Sequence, residues 1–64
     1  MITRWNDGIY GEADKGCFEV WLFRLNTAIA YTDGNEVVLT KDYRSTDKKA
    51  VQEFAGEYSC TVEW

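Results

Sequence analysis

Cys17-Phe18-Glu19-Val20-Trp21-Leu22-Phe23-Arg24 decides the fold of this 64-residue chain. It is the most apolar run, and its two faces do not separate into wet and dry. Side chains alternate across an extended strand. Phe18, Val20 and Leu22 then share one face. Cys17, Trp21 and Phe23 share the other, with Glu19 breaking that row. A helix competes, because Phe18, Leu22, Leu25 and Ile29 follow helical spacing. The strand prevails: Val20, Trp21 and Phe23 would fall off that stripe, and Asn26-Thr27 are weak helix formers. The reading is one strand over 17–25 whose two faces both need cover.

Downstream, 27–32 and 36–41 read as a β-hairpin around Asp33-Gly34, a pair that tolerates positive φ. In its first arm Ile29 and Tyr31 share one face, and the small Ala28 and Ala30 share the other, where a helix could pack closely. Ser45-Thr46-Asp47 opens a helix, with Ser45 or Thr46 as cap and Asp47 at the positive end of the dipole. Ala50, Val51, Phe54 and Ala55 form its apolar face, and Gly56 is the expected stop. In 57–64, Tyr58, Cys60, Val62 and Trp64 alternate with polar residues, the pattern of a half-buried strand.

Upstream, Asn6-Asp7-Gly8 is a turn signal, so 1–15 forms a small hairpin or an irregular arm. Glu12 to Gly16 reads as a polar loop. The summed expectation is one domain over 1–64 of α+β class. It has a small antiparallel or mixed sheet of three to five strands with one helix on one face. The order is (β-β or arm)-β-β-β-α-β. Phe18, Val20 and Leu22 would meet the helix at Val51 and Phe54. The arm around Trp5, Ile9 and Tyr10 is the candidate cover for Trp21 and Phe23.

Composition narrows the function classes. A chain this short buries only about 60% of its unfolded surface. Its 16% aromatic residues are the compensating apolar area. The net charge of −4 argues against a non-specific nucleic-acid binder or an anionic membrane surface. No apolar h-region is present near the N-terminus and no run approaches the ~18 residues of a membrane span, which points to the cytoplasm. Cys17 and Cys60 then read as reduced apolar residues.

No catalytic constellation is legible. The chain has no histidine, which removes the commonest general base and metal ligand. Its five glycines are scattered, so no phosphate loop forms. The carboxylates Asp7, Glu12, Asp14 and Glu19 lack the spacing of a calcium loop. No enzyme activity, metal or cofactor is expected.

What remains is binding. Trp21, Phe23 and Tyr31 could line an open sheet face, since aromatic residues anchor interfaces. Base stacking on such a face needs interleaved cations, yet only Arg24 is close and Glu19 shares the row. Should the early loop and the hairpin tip lie on one side, Asp7, Glu12, Asp14, Glu19, Asp33 and Glu36 would form an acidic surface that steers a basic protein. The function expected is a small acidic inhibitor or adaptor of a larger protein complex with a basic surface. At class level it resembles phage and mobile-element products that block host nucleic-acid machinery, anti-CRISPR proteins among them. A homo-oligomeric module is the alternative, and a single-stranded nucleic-acid binder ranks behind both.

Overall fold

A computed structural model describes residues 2–5 by their backbone, and 9–16 and 19–64 with side chains. The chain is α+β. Six strands lie in one mixed sheet, in chain order. They are β1 (Ile2–Trp5), β2 (Tyr10–Asp14), β3 (Val20–Arg24), β4 (Thr27–Thr32), β5 (Glu36–Leu39) and β6 (Thr61–Glu63). A 3-10 turn (Ser45–Asp47) leads into helix α1 (Lys48–Glu57) between β5 and β6. Strands β1 to β5 pair antiparallel, and β6 returns parallel to β5. The element order is the expected one with the hairpin option taken, which makes the sheet one strand larger than three to five.

β1 and β2 extend the sheet at its edge, and the Trp5 side chain, part of the expected cover, lies outside the described residues. β1 and β2 form a hairpin in which Trp5 opposes Tyr10 and Ile2 opposes Ala13. Glu12 and Asp14 therefore belong to a strand, not to the loop that their polarity suggested. The cover expected for Trp21 and Phe23 does not form from Ile9 or Tyr10. Ile9 is exposed, and Tyr10 reaches the helix side, where its hydroxyl donates to Asp47.

β3 is shorter than the 17–25 read from the sequence. Leu25 has left it, at φ 56 in a two-residue turn before Thr27. Cys17 and Phe18 lie outside the described residues. A β-bulge separates Leu22↔Ala30 from Phe23↔Ala28, so Ile29 is the extra residue of β4. An extra residue resets the side-chain alternation. Ile29 and Ala30 both enter the core, while Ala28 pairs with Phe23, and Tyr31 with Trp21, on the far face. This corrects the expected pairing of Ile29 with Tyr31 and of Ala28 with Ala30.

The β4–β5 hairpin turns at Asp33-Gly34 as read, with Gly34 at φ 101. β5 stops at Leu39, short of Lys41; Thr40 just beyond it still donates its amide to the Ile29 carbonyl at 2.9 Å and its hydroxyl to the Ala28 carbonyl at 2.7 Å. The helix entry also differs from expectation. Neither Ser45 nor Thr46 caps it; Asp47 accepts from the Arg44 amide at 2.9 Å, and the Asp47 amide donates to the Arg44 carbonyl at 2.8 Å.

At the other end Gly56 stays inside α1. The stop is Ser59 at φ 56, with Ser59 N–H on the Gly56 carbonyl at 3.3 Å and Cys60 N–H on the Ala55 carbonyl at 2.8 Å. That double closure is a Schellman motif, which satisfies carbonyls the helix leaves free. It aims the chain back along β5.

α1 packs on one sheet face. Leu22, Ile29, Ala30, Val37, Ala50, Val51, Phe54 and Ala55 form the buried core, with Val20, Leu39, Cys60 and Val62 against it. The meeting of Val20 and Leu22 with Val51 and Phe54 is as expected. Each fully buried Leu, Ile, Val or Phe contributes about 1.5–3 kcal/mol, so this cluster accounts for most of the drive to fold.

Candidate binding face and acidic end

The sheet face away from α1 carries a continuous apolar strip. Cross-strand pairing aligns Ala13, Trp21, Tyr31 and Val38 in one row, ending at Glu63 on β6. A second row holds Gly11, Phe23 and Ala28. Trp21 and Tyr31 stack with ring centroids 4.5 Å apart and planes at 23°. All three predicted aromatic residues are therefore on one face, and each remains partly exposed. Among the described residues no element packs over them. The Trp21 indole N–H is itself buried and has no hydrogen-bond acceptor among the described residues. Beside Phe23 a half-open cleft of about 400 Å³ is lined by Gly11, Ala13, Lys15 and Leu25 among others. The Lys15 ammonium sits over the Phe23 ring, 5.1 Å from its centroid. Arg24, the cation expected near the rings, is on the opposite face and paired with Asp47.

The carboxylates gather at one end of the sheet. The register sets Asp14, Val20, Thr32 and Val37 in one row. Glu19, Asp33 and Glu36 stand at or just beyond that row, at the same strand ends. Helix α1 also ends here, because it enters after the far end of β5 and β6 starts beside Glu36. Glu57 thus joins the group, together with the negative end of the helix dipole. Among the described residues Lys15 is the one cation at this end. Lys41, Arg44, Lys48 and Lys49 lie at the opposite end, around the start of α1. The condition posed for the early strand and the hairpin tip is met, for every predicted carboxylate except Asp7, which lies outside the described residues, and Glu12.

Glu12 is a different kind of residue from the loop acid that was expected. It opposes Leu22 on the helix side of the sheet and is only 4% exposed. Its Oε2 has no hydrogen-bond partner among the described residues. Burial raises its pKa, the neighbouring Glu57 charge adds to this, and the Tyr58 hydroxyl works against it. Tyr58 is itself pushed well above the usual tyrosine range, by burial first and then by Glu12. Glu12 therefore belongs to the packing under the helix end and not to the surface. Asp33 is fully surface-exposed; hydrogen bonding, first from the Asn35 amide at 3.0 Å, lowers its pKa and holds it charged.

The other ionic centre is Asp47, by sequence only an acid at the helix start. It is fully buried and accepts from Tyr10, Arg24 and the Arg44 amide. Burial works against its charge, but these donors outweigh it and keep the carboxyl below its ordinary range. Every donor is accounted for within the fold, so this is a structural hub joining β2, β3 and the helix entry. Cys60 carries a free thiol that donates to the Tyr58 carbonyl at 3.3 Å. Among the described residues no helix is long and apolar enough to cross a membrane, and no group of side chains is arranged to hold a metal ion. No family model matches this chain, and neither a curated protein nor a solved structure resembles it significantly.

Proposed function

We propose that this chain is a protein-binding adaptor or inhibitor that docks a larger protein through its acidic end, on a basic surface of the kind that handles nucleic acid. The observation that carries this reading is the gathering of Asp14, Glu19, Asp33, Glu36 and Glu57 at one end of the fold, from four separate segments. Such a field speeds encounter with a basic patch and disfavours acidic partners, nucleic acid included. The aromatic face beside it supplies apolar contact of the type that anchors interfaces. A single-stranded nucleic-acid reader fits less well, because the rings are bordered by Glu36 and Glu63 and by a single lysine.

Capture from a bacterial lysate with tagged protein, at low and moderate salt, tests the reading. A specific protein should be retained by wild type, lost with Glu19→Gln/Asp33→Asn/Glu57→Gln, and displaced by added nucleic acid. Recovery of no specific protein, or equal recovery by the neutralised variant, overturns it.

A further inference from the structure

The end of the fold opposite the acidic one joins free cations to an exposed ring. Trp64 follows Glu63, which pairs with Val38 on the far sheet face, and so returns to the helix side. There its ring lies against Tyr43, with centroids 6.1 Å apart and planes at 50°. The Lys48 ammonium sits over it, 5.3 Å from the centroid. Trp64 is 59% exposed, the most open aromatic ring among the described residues. Lys41, Arg44, Lys48 and Lys49 are all exposed, and among the described residues none of them has a carboxylate partner. Of the two acids in 41–49, Asp47 is buried and held by Arg24, which leaves Asp42 as the exposed one.

We propose that this end binds single-stranded nucleic acid, with one unpaired base stacked on Trp64 and the flanking phosphates held by Lys48, Lys49 and Arg44. An open ring and interleaved cations are the two parts of such a site. The sheet face opposite α1 has the rings but a single lysine; here both parts occur together. The Lys48 ammonium already rests on the ring, held by its electron-rich face. A stacked base takes that place and releases the ammonium to a phosphate. A duplex keeps its base faces stacked inside, so an unpaired strand is the form that reaches the ring. An acidic peptide would satisfy the lysines but leave the indole without a stacking partner.

The net charge of −4 speaks against nucleic-acid binding only when it is averaged over the surface. The carboxylates are gathered at the far end of a fold measuring 26 × 24 × 20 Å, beyond the ~10 Å over which 0.1 M salt screens charge. Each end therefore acts with its own sign. The basic end is tested without any protein partner, and its failure leaves the reading of the acidic end untouched. With about three phosphate contacts the affinity is low, a Kd on the order of 100 µM at ~50 mM salt. The logarithm of the binding constant should fall with log salt at a slope of about −2.

Fluorescence anisotropy of an end-labelled, mixed-sequence strand of about 12 nucleotides, titrated with the full chain up to ~1 mM at ~30 to ~120 mM salt, tests this. Far-UV circular dichroism establishes that each variant is folded. Wild type should bind with the stated salt slope. Trp64→Ala should bind about tenfold more weakly with the slope unchanged, while Trp64→Phe keeps most of the affinity. Lys48→Gln/Lys49→Gln should weaken binding and make the slope shallower by about 1.4. No anisotropy change up to ~1 mM overturns the proposal. Equal binding by Trp64→Ala overturns it as well, by leaving only a patch of charge. An oligoglutamate of the same length that binds as tightly as the strand also overturns it, by giving this end to an acidic protein.

Discussion

The Tyr10 hydroxyl donates to Asp47 Oδ1 at 2.7 Å, across 37 positions of sequence. The bond ties the N-terminal hairpin to the helix entry, and Arg24 from β3 completes the junction. Removing the carboxylate would leave a partly buried guanidinium and a phenol without their acceptor. Asp47→Ala should therefore cost about 3–5 kcal/mol, and Tyr10→Phe only about 1 kcal/mol. Urea unfolding of the two variants checks the order. Equal losses would mean that Arg24 is satisfied without Asp47.

Asp47 and Glu12 pull stability in opposite directions with pH. The folded state lowers the pKa of Asp47, so its contribution is present above the unfolded value of ~3.9 and is lost as pH falls through the folded one. The folded state raises the pKa of Glu12. Its contribution is complete below ~4.3 and is lost as pH rises through the folded value. Stability should pass through a maximum in mildly acidic solution and decline toward neutrality. Glu12→Gln should raise Tm at pH 7 and flatten the neutral limb, while Asp47→Asn should flatten the acid limb. Thermal melts from pH 2.5 to 8 measure both.

Two positive-φ positions make opposite predictions. Gly34 has φ 101 and open space around an added Cβ, so Gly34→Ala should cost about 1 kcal/mol through backbone strain alone. Leu25 sits at φ 56 and is 72% exposed, a conformation that favours glycine in a two-residue turn. Leu25→Gly should therefore stabilise by about 0.5–1 kcal/mol. Denaturant midpoints of the two variants, moving apart in sign, would bear this out.

The two sheet faces should respond differently to truncation. Phe54 is fully buried under the helix, and Phe54→Ala should cost about 3–5 kcal/mol. For a chain of this size that is comparable with the total stability, roughly 3–10 kcal/mol. Trp21→Ala removes a partly buried ring and its stack on Tyr31, so a smaller loss of about 1–2 kcal/mol is expected. Urea midpoints separate the two. A Trp21 variant as unstable as the Phe54 variant would mean that the aromatic strip is core.

The element order, the helix face and the Asp33-Gly34 turn were legible because each follows from a short-range pattern. Three features were not. The bulge at Ile29 leaves no mark, since Ala28-Ile29-Ala30-Tyr31 reads as plain alternation until Leu22 and Phe23 pair with it. Glu12 looked like a loop acid because its neighbours Gly11, Ala13 and Asp14 are poor strand formers; only pairing with Leu22 sets it under the helix. Asp47 looked like a first-turn acid, and its partners Tyr10 and Arg24 are far away in sequence. On the candidate site, the grouping of Trp21, Phe23 and Tyr31 was readable from alternation. The acidic end was not, because it depends on how strands and helix align end to end.

The central claim is that the acidic end of the sheet docks a basic protein surface. Retention of a specific protein from a bacterial lysate, compared between wild type and Glu19→Gln/Asp33→Asn/Glu57→Gln, tests it most directly. Wild type should retain that protein and the neutralised variant should lose it. Equal recovery by both would contradict the claim.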